Sequence, residues 1–151
     1  MNRANEIRLD FPAMAENEAL ARMVVSAFLV PLNPTLEELA DVKTAVSEAV
    51  TNAIVHGYAH EQGMVRMIAV CSPDGRIAID ICDKGCGIAD VAKARQPFFT
   101  TLPGEERSGM GFTVMESFMD GVDVQSVPGR GTTVRLIKQL RMREECLARR
   151  A

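Results

Sequence analysis

Ser47-Glu48-Ala49-Val50-Thr51-Asn52-Ala53-Ile54-Val55-His56-Gly57-Tyr58 is the stretch on which the reading of this chain turns. At about 100° per residue, Val42, Val46, Ala49, Val50 and Ala53 share one apolar stripe, so the stretch is the second half of a helix that buries one side. Glu48 and Asn52 lie one turn apart on the border of that stripe. A carboxylate and a carboxamide at the rim of an apolar face suit the edge of a cleft better than open solvent. Gly57 is placed to end the helix. Upstream, Thr35-Leu36-Glu37-Glu38 has the Thr-x-x-Glu pattern of a capping box, which starts the helix at Thr35 after the break Pro31-Leu32-Asn33-Pro34.

On the N-terminal side, Ile7, Leu9 and Phe11 alternate within Glu6 to Phe11, predicting a strand that Pro12 ends and keeps at a sheet edge. Glu16 to Val30 carries Leu20, Met23, Val24, Ala27 and Phe28 at helical spacing. This predicts a helix with those residues inward and Arg22 projecting away, a candidate partner contact. On the C-terminal side, runs from Met64 to Cys71 and Arg76 to Cys82 flank Ser72-Pro73-Asp74-Gly75, good turn chemistry for a hairpin. A long irregular segment runs from about Arg95 to Gly109, a length that in compact domains is usually functional or disordered. Gly111 to Met119 reads as a helix. Strands near Val122–Val127 and Thr132–Leu140 close the chain around Pro128-Gly129-Arg130-Gly131, and a charged tail follows from 141 to 151. This order puts helices on one face of a mixed, mostly antiparallel sheet. The expected fold is an α+β two-layer sandwich, one domain over residues 1–151.

Composition narrows the function. The chain has 151 residues, 47% hydrophobic and 25% charged, with a formal charge of −3, no Trp and one Tyr. Without a basic block before the last dozen residues, direct nucleic-acid binding is disfavoured. No apolar run approaches the roughly 18 residues of a membrane span, and no signal-peptide core opens the sequence, so a cytoplasmic location is expected. Cys71, Cys82, Cys86 and Cys146 lack the spacing and neighbouring histidines of a metal site and read as reduced thiols.

Continuing Ile77, Ile79 and Ile81 by two places lands on Asp83, so its carboxylate is expected on the helix-covered side. A buried carboxylate needs donors. A ligand with an exocyclic amine would supply one, with Gly85 and Gly87 letting the backbone approach its ring; a plain turn with Asp83 capping local N–H groups is the alternative. Gly109-Met110-Gly111 opens the next helix, whose free N–H groups and dipole suit phosphate, with Arg107 the cation near that start and Ser108 beside it. Thr100 and Thr101 lie earlier in the same segment and are further candidate nucleotide contacts. Thr132 shares parity with Val134 and Leu136 and looks inward, as a contact or as a core Thr bonded to backbone. Asn52 near phosphates suits a Mg²⁺ ligand, since Mg²⁺ takes few protein ligands and keeps waters. Glu48 beside it suits a general base, and His56 a supporting role.

In order along the chain, these are Glu-x-x-x-Asn on a helix, Asp-x-Gly-x-Gly after a strand, Gly-x-Gly opening a helix and Gly-Thr-Thr in a closing strand. The series resembles the Bergerat-fold (GHKL) ATPases, the superfamily of gyrase, heat-shock chaperones, histidine kinases and mismatch-repair proteins. Ser47 to Tyr58 and Glu106-Arg107-Ser108-Gly109-Met110-Gly111-Phe112-Thr113-Val114-Met115-Glu116 are similar to one branch, the sporulation anti-sigma F factors of endospore formers. That resemblance implies a homodimeric serine-protein kinase that binds ATP/ADP and Mg²⁺. It implies one partner held inactive, an RNA polymerase sigma factor, and one phosphorylated on serine, an anti-anti-sigma protein. It also implies Glu48 as the base, Asn52 on Mg²⁺, Asp83 on the adenine amine and Gly85, Gly87, Gly109 and Gly111 along the nucleotide. A related stress-response switch kinase, and a binding module whose nucleotide only stabilises the sigma-holding surface, are the alternatives.

Overall fold

In the computed structural model, residues 3–97 and 110–141 are described. The chain runs β1 (Asn5–Pro12), α1 (Glu16–Leu29), a 3₁₀ turn (Val30–Leu32), α2 (Leu36–Asn52) and a π-helical turn (Ala53–Gly57). It continues with β2 (Met64–Cys71), β3 (Arg76–Asp83), the one-turn α3 (Val91–Ala94), α4 (Gly111–Phe118), β4 (Gly121–Val127) and β5 (Gly131–Gln139). The strands form one sheet in the order β1-β2-β3-β5-β4, and every pairing is antiparallel. β1, ending in Pro12, lies at an edge, as its proline suggested.

Alternation in the strands and the stripe on α2 meet to make the core. Val42, Ala45, Val46, Ala49 and Val50 are buried against Met67, Ala69, Ile77, Ile79, Ile81, Val134 and Leu136. Each fully buried Val, Leu, Ile or Met side chain contributes about 1.5–3 kcal/mol, so this apolar layer is the main hold of α2 on the sheet. The helix starts as its sequence specifies. Thr35 Oγ1 accepts from Glu38 N–H at 3.0 Å, and Glu38 Oε2 accepts from Thr35 N–H at 2.8 Å. Glu38 is buried, and its other oxygen accepts from Arg141 N–H at 2.7 Å, tying the chain after β5 to the start of α2. Burial of that carboxyl favours its neutral form. The N–H groups of Arg141 and Thr35, the Thr35 hydroxyl and the Arg141 charge outweigh burial and hold it below the usual glutamate range.

α1 departs from its sequence reading. Its buried face is Ala21, Val25, Phe28 and Leu29, whereas Leu20 is 44% and Met23 72% exposed and Ala27 is exposed. Apolar residues surround this helix, so two stripes offset by one residue fit the same periodicity. The one chosen lets α1 approach through small Ala21 and Val25. Gly57 does end its helix, but through a wider turn in which Tyr58 N–H bonds to Ala53 O at 3.0 Å, five residues back. Such π turns occur frequently at functional sites.

Candidate functional site

Where α2 ends, a cavity of about 440 Å³ opens between the π turn, the β3–α3 connection, the N-terminus of α4 and the inner end of β5. Asn52, Asp83, Gly87, Gly111 and Thr132, all singled out from sequence, line it. The connection from β3 is pinned from three sides. Lys84 N–H donates to Tyr58 Oη at 2.8 Å. Cys86 N–H donates to Gly57 O at 2.8 Å, and Gly129 N–H to Cys86 O at 2.7 Å. Close packing there requires glycine: a Cβ on Gly85 would stand 2.0 Å from Gly57 O.

Asp83 follows Ile81 on the inner face, as its parity requires, and pairs in register with Thr132. Burial pushes its carboxyl above the usual aspartate range; the N–H groups of Gly85, at 2.9 Å, and Thr132 pull it partly back. No ion pair to Asp83 exists among the described residues, so the carboxylate keeps acceptor capacity toward the cavity. This arrangement recruits local N–H groups, as a turn-capping Asp does, and also faces a cavity large enough for a ligand.

At the other end, α2 and α4 pack together. A Cβ on Gly111 would lie 3.2 Å from both Asn52 Nδ2 and Oδ1 and 3.4 Å from Glu48 Oε2. Glu48 and Asn52, both half-buried, therefore converge on the first residue of α4. Met110 precedes that helix without a side-chain cap, which leaves first-turn N–H groups at its positive end. Thr132 is buried with its hydroxyl 2.8 Å from Ser126 Oγ.

Not every candidate joins the cavity. Arg22 sits on α1 with Nε 2.9 Å from Glu18 Oε1, an ion pair by distance whose Nε–H makes no hydrogen bond; the Ser47 hydroxyl donates to the same Glu18 oxygen. Thr100, Thr101, Arg107, Ser108 and Gly109 lie outside the described residues, as does Cys146. Cys82 and Cys86 are free thiols, Cys71 is buried, and no three His, Cys, Asp or Glu residues converge on a metal position among the described residues.

The structure also adds residues that sequence reasoning missed. Ile88, Asp90, Lys93 and Phe112 line the cavity. Asp90 caps α3 by accepting from Lys93 N–H at 3.0 Å, a helix too short for periodicity to reveal. Ser126 was overlooked although it pairs directly with Thr132, a pairing that the turn Pro128–Gly131 already implied.

Residues 11–138 match the family model for a histidine kinase-like ATPase domain. Anti-sigma F factor of Pasteuria penetrans is 52% identical over 137 residues, 90% of this chain and 91% of that one. Anti-sigma F factor of Geobacillus sp. (strain WCH70) is 53% identical over 136 residues, 90% and 93% of the two chains. The chain belongs to the anti-sigma F factor family, built on a histidine kinase-like ATPase domain. The family assignment covers the whole cavity wall. Anti-sigma F factor of Bacillus velezensis, 52% identical over 90% of this chain and 93% of its own, gives the same result. Among solved structures, the RsbU and RsbW domains of Rv1364c from Mycobacterium tuberculosis share the fold with a TM-score of 0.66. They are 21% identical, over 90% of this chain and 32% of that one. The mycobacterial sensor histidine kinase MprB shares it at 0.56 with 16% identity, over 92% and 100%. No helix among the described residues is long and apolar enough to cross a membrane.

Proposed function

We propose that this anti-sigma factor binds and inhibits a sporulation RNA polymerase sigma factor (sigma F) and uses Mg-ATP to phosphorylate a serine on an anti-anti-sigma protein. In this reading it acts as a cytoplasmic homodimer, each protomer one domain over residues 1–151. The observation that carries the kinase half is the convergence of Glu48 and Asn52 on the uncapped start of α4, with a half-buried carboxylate, Asp83, across the same cavity.

The residues fit an adenine nucleotide and Mg²⁺. Asp83 accepts from the adenine amine, and Gly87 lines the cavity beside it, whereas Gly85 packs on Gly57 rather than on the ring and holds Asp83 through its N–H. Glycine at 111 leaves the space beside Asn52 and Glu48 that a side chain would fill. First-turn N–H groups of α4 would receive phosphate oxygens, and Asn52 would hold Mg²⁺, which needs few protein ligands. When bound, the ion neutralises phosphate charge. By resemblance, Thr100, Thr101, Arg107, Ser108, Gly109 and Met110 complete the phosphate side. Glu48 accepts the proton of the incoming serine hydroxyl as its oxygen bonds to the γ-phosphorus and the bond to ADP breaks. Arg22, held by Glu18 on the outer helix, is the proposed partner contact.

Glu48→Gln tests the reading. It is expected to keep ATP affinity while phosphotransfer to a purified anti-anti-sigma protein drops about 10²–10⁴-fold, the usual contribution of a general base. Undiminished transfer overturns the base assignment. ATP binding with no transfer by the unmutated protein favours a nucleotide-stabilised sigma-binding module instead.

A further inference from the structure

Ser126 lies on β4, outside every sequence motif of the site, yet its hydroxyl meets three groups at the cavity wall. It accepts from Ile88 N–H at 2.7 Å, faces Gly131 O at 3.1 Å and lies 2.8 Å from Thr132 Oγ1. A serine hydroxyl has one proton and two lone pairs. Ile88 occupies one lone pair, and Gly131 O can only accept, so it takes the serine proton. The remaining lone pair then faces Thr132, whose proton completes the set. This arrangement satisfies all four groups. Thr132 Oγ1 is left with lone pairs and no free proton, on a buried side chain lining the cavity beside Asp83.

We propose that Ser126 is a positioning residue for nucleobase recognition: it fixes the Thr132 hydroxyl as an acceptor, so that Asp83 and Thr132 together receive the two protons of an exocyclic amine. This deepens the nucleotide reading and rests on it. The bond to Ile88 gives Ser126 a second effect, holding the wall that leads to α3 at its distance from the base.

A two-by-two set of variants separates this role from plain structure. Equilibrium affinity is measured for ATP and for purine riboside triphosphate, which lacks the amine, with thermal unfolding run in parallel. Ser126→Ala is expected to weaken ATP about 3- to 10-fold, the loss of one hydrogen bond, and to leave the amine-free nucleotide unchanged. In a Thr132→Val background the same change is expected to cost nothing further, and Ser126→Thr, which keeps the hydroxyl, to restore ATP affinity. An equal loss for both nucleotides, or an undiminished loss in the Thr132→Val background, overturns the assignment. Failure of the unmutated protein to bind either nucleotide overturns the reading beneath it, a result distinct from the other two.

Discussion

Gly85→Ala and Gly129→Ala separate two reasons for glycine in the same pair of loops. A Cβ on Gly85 would stand 2.0 Å from Gly57 O, 2.3 Å from its carbon and 2.8 Å from its Cα, all backbone atoms that no rotamer change can move. Ordinary contact begins at 3.4 Å, so the two backbones must part by about 1.4 Å. That breaks the 2.8 Å bond from Cys86 N–H to Gly57 O and strains the 2.9 Å bond from Gly85 N–H to Asp83 Oδ1. A neutral bond contributes about 0.5–1.5 kcal/mol and one to a carboxylate about 1.5–3, so the expected cost is about 2–4 kcal/mol. For a chain of this size that is a fall of about 10 °C in Tm. Gly129 has φ +77° and nothing within 4 Å of its added Cβ. Alanine there meets only left-handed strain, about 1–2 kcal/mol and about half the fall in Tm. Thermal unfolding by circular dichroism compares the two, and ATP affinity is expected to fall only for Gly85→Ala, because only that change unseats Asp83. A Gly85→Ala protein as stable as Gly129→Ala, with ATP affinity intact, refutes the close-approach reasoning.

Glu38→Gln keeps the shape of the tie to Thr35 and Arg141 but not its charge, and is expected to cost about 1.5–3 kcal/mol at neutral pH in urea unfolding. Glu38 is held below its ordinary range, so its contribution is present above the unfolded value and lost as pH falls through the folded one. The gap between parent and variant should therefore close in acid. Asp83 is shifted the other way, so the ligand-free protein is most favoured by this group below the unfolded value and loses that as pH rises through the folded one. ATP binding needs the ionised form, so affinity is expected to fall on acidification at a pH above the usual aspartate range, and calorimetry on Asp83→Asn should show no such fall. Asn52→Ala is expected to leave Tm unchanged and to erase the difference in ATP affinity with and without Mg²⁺.

Much of this was legible because strand parity and helix periodicity are rigid rules. Ile77, Ile79 and Ile81 fix the side on which Asp83 emerges, and Thr35 with Glu38 fixes where α2 begins. α1 was misjudged because periodicity counts apolar residues without knowing which neighbour approaches: Leu20 and Met23 are larger, but Ala21 and Val25 let the helix come close. Ser126 escaped notice for another reason. The turn after β4 implies its pairing with Thr132, but nothing local reveals its bond to Ile88, 38 residues away in sequence. Short α3 has too few residues to show a period at all.

The π turn at Ala53–Gly57 acts as a phase shifter. Up to Asn52 the helix keeps the register that seats its apolar stripe on the sheet. The wider turn then rotates the end of the helix, so that the carbonyls of His56 and Gly57 meet Cys86 Sγ and N–H. The length of this run is thus as constrained as its chemistry. A point substitution there is felt locally, whereas deleting one residue would swing everything beyond it by about 100° and carry Gly57 away from the loop that it holds. Natural variation in this protein is therefore expected to change letters between Asn52 and Tyr58 but not their number.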